Sequence, residues 1–157
     1  RGFCLGGRRE ISISCDLRVA GRGAKFGQPE VSLGIMPAAG ATYRLPRLVG
    51  LGRARELVYT GRILDAEEAA RIGLVEEVVD DERVLDAAIE LAERIAANGA
   101  LAVRSAKTAM NARGRPNQHL AGDLESSLQA TLFDSEDKHR RMQAFLDRKK
   151  SKCSPHE

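Results

Sequence analysis

Two carboxylates and a pair of glycines are the residues of this chain whose types and placing could do chemistry. Glu30 stands behind Pro29 among Phe26, Val31, Leu33, Ile35 and Met36, in the stretch KFGQPEVSLGIMP. Charged groups are seldom buried without a partner, so an acid in such company is either at a surface turn or held for a reaction. Upstream, Cys4-Leu5-Gly6-Gly7-Arg8-Arg9-Glu10 reads as a strand end, a flexible glycine pair and a helix start. Glycines there let a ligand approach the backbone, and the first N–H groups of a helix have no internal partner and can bind an oxyanion. Two carboxylates in one pocket repel, which drives one toward its neutral form, and apolar burial acts the same way. One could then donate a proton while the other accepts one. The alternative is structural: Glu10 in a first helical turn, where acids are favoured, and Glu30 capping a loop.

The elements that must position these groups follow from periodicity and punctuation. Leu17–Ala20 and Ala24–Phe26 read as short strands around the turn Gly21-Arg22-Gly23, and Ile11-Ser12-Ile13-Ser14 alternates like a strand, although β-branched residues also occur in helices packed on sheets. Residues 40–49 and 52–60 are helical in pattern and separated by Gly50. Asp65 marks an N-cap with Glu68 at the reciprocal position and Gly73 as the stop, and a strand follows over Leu74–Val79. Residues 81–98 carry an apolar stripe of Val84, Leu85, Ala88, Ile89, Ala92, Ile95 and Ala96, which predicts a helix facing the core. Further helices are expected near 100–112, 117–132 and 136–149. Strands with crossover helices and then a mostly helical C-terminal part make this an α/β chain.

Composition bounds the function classes. With 157 residues, 43% apolar and 30% charged, the chain suits one soluble globular domain. Cys4, Cys15 and Cys153 form an odd set without framework spacing, which argues for reduced thiols inside a cell and against a disulfide scaffold or a zinc knuckle, and no metal is expected. No apolar run approaches the roughly 20 residues that span a bilayer and no secretory leader is visible, so the expected location is the cytoplasm, with no membrane partner. The first residues run straight into an element, without an initiating Met, and are read as beginning within a domain. The net charge is +3, concentrated in the last twenty residues, yet aromatics are only 4% and Trp is absent, so nucleic acid is not the expected partner.

Taken whole, GFCLGGRREISISCDLRVA followed by AKFGQPEVSLGIMPAAGATYRLPRLVG closely resembles the crotonase, or enoyl-CoA hydratase/isomerase, family. The stretches ELVYTGRILDAEEAARIGLVEEVV and ATLFDSEDKHRRMQAFLDRKK resemble it too, so the likeness covers nearly the whole chain. It implies an α/β fold: a partial crotonase-like ββα superhelix over residues 1–80 with the acyl-CoA site, a helical oligomerisation region over 81–150, and a tail over 151–157. It further implies an enoyl-CoA hydratase of fatty acid or related acyl-CoA breakdown, working as a trimer or hexamer with no cofactor besides the coenzyme A of its substrate. Gly7 matches the glycine whose N–H is one of two oxyanion-hole donors, with Gly6 beside it in the substrate site. Glu10 matches the carboxylate that helps activate water for addition at Cβ, and Glu30 the one that protonates Cα. Ala38 stands where the family has Gly, beside the acyl pocket, while Phe145 and Arg148 match an aromatic and a basic residue near the CoA nucleotide. Possession of both acids is associated with hydratases, whereas isomerase and other branches commonly keep one.

Two departures from the family pattern bear on activity. Arg8 replaces the third glycine and Arg9 stands where small or apolar residues are usual, and cations in a first helical turn oppose the macrodipole by about 0.3–1 kcal/mol. Either Glu10 is ion-paired by them, or both arginines point to solvent. The family's N-terminal half, with the second oxyanion donor, has no counterpart here, which leaves a catalytically silent assembly subunit as a competing reading.

Overall fold

The computed structural model of the chain describes residues 1–112, 126, 130 and 133–153. In chain order it contains β1 (Phe3–Leu5), α1 (Gly7–Ser14), β2 (Val19–Gly21), β3 (Lys25–Gly27), a 3-10 turn (Pro29–Leu33), α2 (Ala41–Val49), α3 (Leu51–Thr60), β4 (Ile63–Asp65) and α4 (Ala66–Arg71). Then come β5 (Glu77–Val79), a second 3-10 turn (Asp81–Arg83), α5 (Val84–Ala96), α6 (Ala100–Ala112) and α7 (Glu136–Cys153). The helix expected over 117–132 lies almost entirely outside the described residues.

The chain shuttles between two small sheets. β3 lies centrally in the first, parallel to β1 and antiparallel to β4, and β2 pairs parallel with β5 in the second. The strands around Gly21-Arg22-Gly23 are therefore not partners of each other. This turn hands the chain from one sheet to the other and is tied down from a distance: Arg22 N–H donates to Val79 O at 2.9 Å and Gly23 N–H to Asp81 Oδ1 at 3.0 Å. The expected strand at Ile11–Ser14 is instead the second half of α1. Ile13 is buried and Ile11 exposed, so the two isoleucines do not share a buried face as an alternating strand requires.

Helices cover the first sheet because their apolar positions meet one cluster, in which Ile13, Phe26, Leu45, Leu57, Leu64 and Leu74 are all at most 5% exposed. The start of α4 was legible: Asp65 Oδ1 accepts the Glu68 N–H at 2.8 Å. The reciprocal half is different, because the Glu68 carboxylate is taken by Arg62, which also holds Glu56. The strand expected over Leu74–Val79 is confined to Glu77–Val79, and α7 runs four residues past its expected end.

The apolar stripe of α5 does not face the core. Only Ala87 of this helix is buried, where the helix rests on β2, whereas Leu85 and Ile89 are 63% and 47% exposed. Periodicity marks a face that gains from cover, and nothing within the described residues covers it.

Arg18, 7% exposed, locks the second sheet to the loop before it. Its guanidinium donates to Leu74 O at 2.7 Å, Cys15 O at 2.7 Å and Glu76 Oε1 at 2.6 Å. Glu76→Ala strands this buried cation without its counter-charge. The expected loss is about 1.5–3 kcal/mol, the scale of hydrogen bonds to charged groups, read as a lower urea midpoint at unchanged slope.

Candidate active site

α1 begins at Gly7 because Gly6 adopts a left-handed conformation, φ +53°, that turns the chain out of β1 and directly into the helix. Glu10 N–H donates to Gly6 O at 3.1 Å, closing the first turn and placing Glu10 one turn above the glycines. Glu30 arrives from the other side of the site. Pro29 sets the first φ of the 3-10 turn, and Gly34, φ +74°, ends it with its N–H on Val31 O.

Both carboxylates converge on the glycine pair. A methyl group built on Gly6 would stand 3.1 Å from Glu30 Oε1, and one built on Gly7 would stand 3.8 Å from Glu10 Oε2. Glu30 Oε2 is buried without a hydrogen-bond partner. Burial pushes the Glu30 carboxyl above its ordinary range, against a backbone hydrogen bond; the Glu10 charge also raises it, and Arg9 draws it back down.

The loop after the 3-10 turn adds a contact that the sequence did not disclose. Ala38 N–H donates to Glu10 Oε1 at 2.9 Å, so Ala38 serves the site through its backbone as well as standing beside it. The next residue, Ala39, is held at φ +47°, and its carbonyl accepts from Arg44 at 2.6 Å. A non-glycine residue there carries strain of roughly 1 kcal/mol that the surrounding loop must hold. No local sequence signal announces it.

The two arginines divide. Arg8 is exposed, as one expectation had it, but Arg9 is wholly buried, so the expected exposure of both does not hold. Phe145 and Arg148 lie exposed on α7, which packs on the 3-10 turn that carries Glu30. Among the described residues no cluster of three or more His, Cys, Asp or Glu could hold a metal ion, and no helix is long and apolar enough to cross a membrane.

Gly6→Ala tests the convergence. The left-handed φ costs an alanine about 1–2 kcal/mol, and the new methyl pushes the Glu30 carboxylate away. A lowered melting temperature is expected, together with a loss of turnover of up to about 10²-fold, the scale for a misplaced catalytic group.

The enoyl-CoA hydratase/isomerase family model matches residues 1–154, and the chain belongs to this family. It is 45% identical over 150 residues to a crotonyl-CoA hydratase of Syntrophomonas wolfei, covering 96% of this chain and 58% of the relative. A short-chain-enoyl-CoA hydratase of Clostridium acetobutylicum is 44% identical over 149 residues, covering 95% and 57%. Among solved structures, an enoyl-CoA hydratase/isomerase from Pseudoalteromonas atlantica superposes with a TM-score of 0.87 at 28% identity, over 99% of this chain and 61% of that one. A carnitinyl-CoA hydratase from Mycobacterium avium gives 0.87 at 34% identity, over 94% and 57%. The chain thus spans somewhat over half the length of these curated relatives.

Proposed function

We propose that this chain carries the paired-acid half of a 2-enoyl-CoA hydratase site and adds water across the double bond of an acyl-CoA thioester. The observation that carries the reading is the convergence of Glu10 and Glu30 on the Gly6–Gly7 turn from separate elements. Glu10, oriented by the Ala38 N–H, takes a proton from water as the water oxygen bonds to Cβ. Glu30, held toward its neutral form by burial, gives its proton to Cα. The thioester oxygen, which gathers charge in between, rests on the N–H of Gly7 at the start of α1. A proton then passes from Glu10 back to Glu30 through solvent and resets the site.

Phe145 and Arg148 fit a place for the nucleotide end of coenzyme A, since a guanidinium pairs well with phosphate and α7 lies against the Glu30 turn. No cofactor beyond the substrate's coenzyme A is needed. The uncovered stripe of α5 supports assembly with further copies of the chain.

Conversion of a short 2-enoyl-CoA in heavy-oxygen water tests the reading. Hydration places one labelled oxygen on Cβ. Unlabelled product with a moved double bond would instead establish isomerisation, and binding without turnover would establish a silent subunit.

A further inference from the structure

The backbone from Ala38 to Gly40 carries the N–H that Glu10 accepts, and it does so in a conformation that alanine does not favour. Ala39 has φ +47° and Gly40 φ +88°, two successive left-handed residues of which only the second is glycine. Left to itself, Ala39 would relax to negative φ and turn the neighbouring peptide planes, including the one that bears the Ala38 N–H. The observed loop therefore needs a hold, and α2 provides it. Ala38 O accepts the Ala41 N–H at 2.9 Å, and Gly40 O accepts the Arg44 N–H at 2.9 Å. Ala39 O, between them, accepts from the Arg44 side chain through Nη1 at 2.6 Å.

The first two bonds come with the start of a helix, whereas the third depends on one side chain. Arg44 is itself seated, its guanidinium carbon lying 5.1 Å from the centroid of the Tyr43 ring. A methyl group built on Gly40 would collide with Arg44 Nη1 and stand 2.6 Å from Tyr43 Oη, so guanidinium and phenol lie directly on the strained turn. Stacked and planar, the guanidinium donates a charge-assisted bond with little freedom left to lose.

We infer that Arg44 is a positioning residue for the proposed reaction: seated on Tyr43, it clamps the Ala39 carbonyl and so keeps the Ala38 N–H aimed at Glu10. The contacts run from Arg44 to Ala39 O, through the backbone to Ala38, and from the Ala38 N–H to Glu10 Oε1 at 2.9 Å. α1, which carries Glu10, packs on α2, which carries Arg44, so both ends of this relay stand on one support. What the clamp fixes is direction: a carboxylate anchored at one oxygen offers the other to water along a defined line. The inference rests on the hydratase reading for its purpose, though not for the first arm of its test.

Amide hydrogen exchange in the full chain tests the clamp without substrate. Arg44→Met should lower the protection of the Ala38 N–H by about tenfold or more and leave the core amide of Leu57 unchanged, while Arg44→Lys, which keeps a charged donor, should recover most of the loss. Unchanged protection at Ala38, or an equal loss at Leu57, overturns the inference. Should Arg44→Met fail to fold, Tyr43→Leu removes the seat and leaves the donor. It should lower Ala38 protection by about threefold or more, and no change there overturns the inference. Hydration kinetics supply the second arm: kcat for a short 2-enoyl-CoA should fall about tenfold in Arg44→Met with KM little changed, and should return in Arg44→Lys. An unchanged kcat beside lost Ala38 protection overturns the positioning role. Lost protection in a chain that never hydrates an enoyl-CoA, even unmodified, would sink the hydratase reading and leave the clamp intact.

Discussion

Glu30→Gln lowers kcat for hydration of a short 2-enoyl-CoA by about 10²–10⁴-fold, the usual contribution of a positioned acid or base, while KM changes little. Glutamine keeps the size and hydrogen-bonding reach of the side chain, so Gly6 and the 3-10 turn meet nearly the same shape. What disappears is the ionisable carboxyl, its pKa raised by burial, to which the proposed mechanism assigns delivery of the proton to Cα. The decay of enoyl absorbance reads the rate directly. Activity near that of the unmodified chain would remove Glu30 from the mechanism.

The largest effect on stability is expected at Leu57. This residue is 0% exposed in α3 and belongs to the cluster that joins α1, α2 and α4 to the first sheet. Leu57→Ala removes its buried methyl groups and leaves a cavity that a helix on a three-residue-strand sheet cannot easily close. The loss should be about 2–5 kcal/mol, seen as a lower denaturant midpoint with an unchanged slope. A loss under about 1 kcal/mol would mean that the cluster is less tightly packed than the structure shows. Since α3 also packs on the 3-10 turn, the same variant should loosen the seat of Glu30.

What could be read from the sequence was what local chemistry decides. α2 and α3 are separated by Gly50 as their pattern requires, and α4 starts at Asp65 because a carboxylate oxygen there satisfies the Glu68 N–H. The glycine pair, Glu10 and Glu30 stood out because acids and glycines in apolar stretches need a reason. Partners distant in sequence decided the rest. Ile11–Ser14 satisfies the period of a strand, and only packing around Ile13 makes it a helix. The strands flanking Gly21–Gly23 look like a hairpin until Val79 and Asp81 bind the turn from nearly sixty residues away. The stripe on α5 announces an apolar face without saying what lies against it. Arg9 is the sharpest case, since residue type alone points a first-turn arginine to solvent or to its neighbour Glu10, and only the fold buries it.

The division of labour between the two acids can be read in one measurement: exchange of the α-protons of a short saturated acyl-CoA in deuterated water, followed by proton NMR. Such a thioester has no double bond to hydrate, so only enolate formation and the Cα base are at work. The unmodified chain and Glu10→Gln should both exchange these protons, while Glu30→Gln should be slower by at least about 10²-fold. Exchange that persists in Glu30→Gln, or that is lost in Glu10→Gln alone, would contradict the assignment of the Cα proton to Glu30.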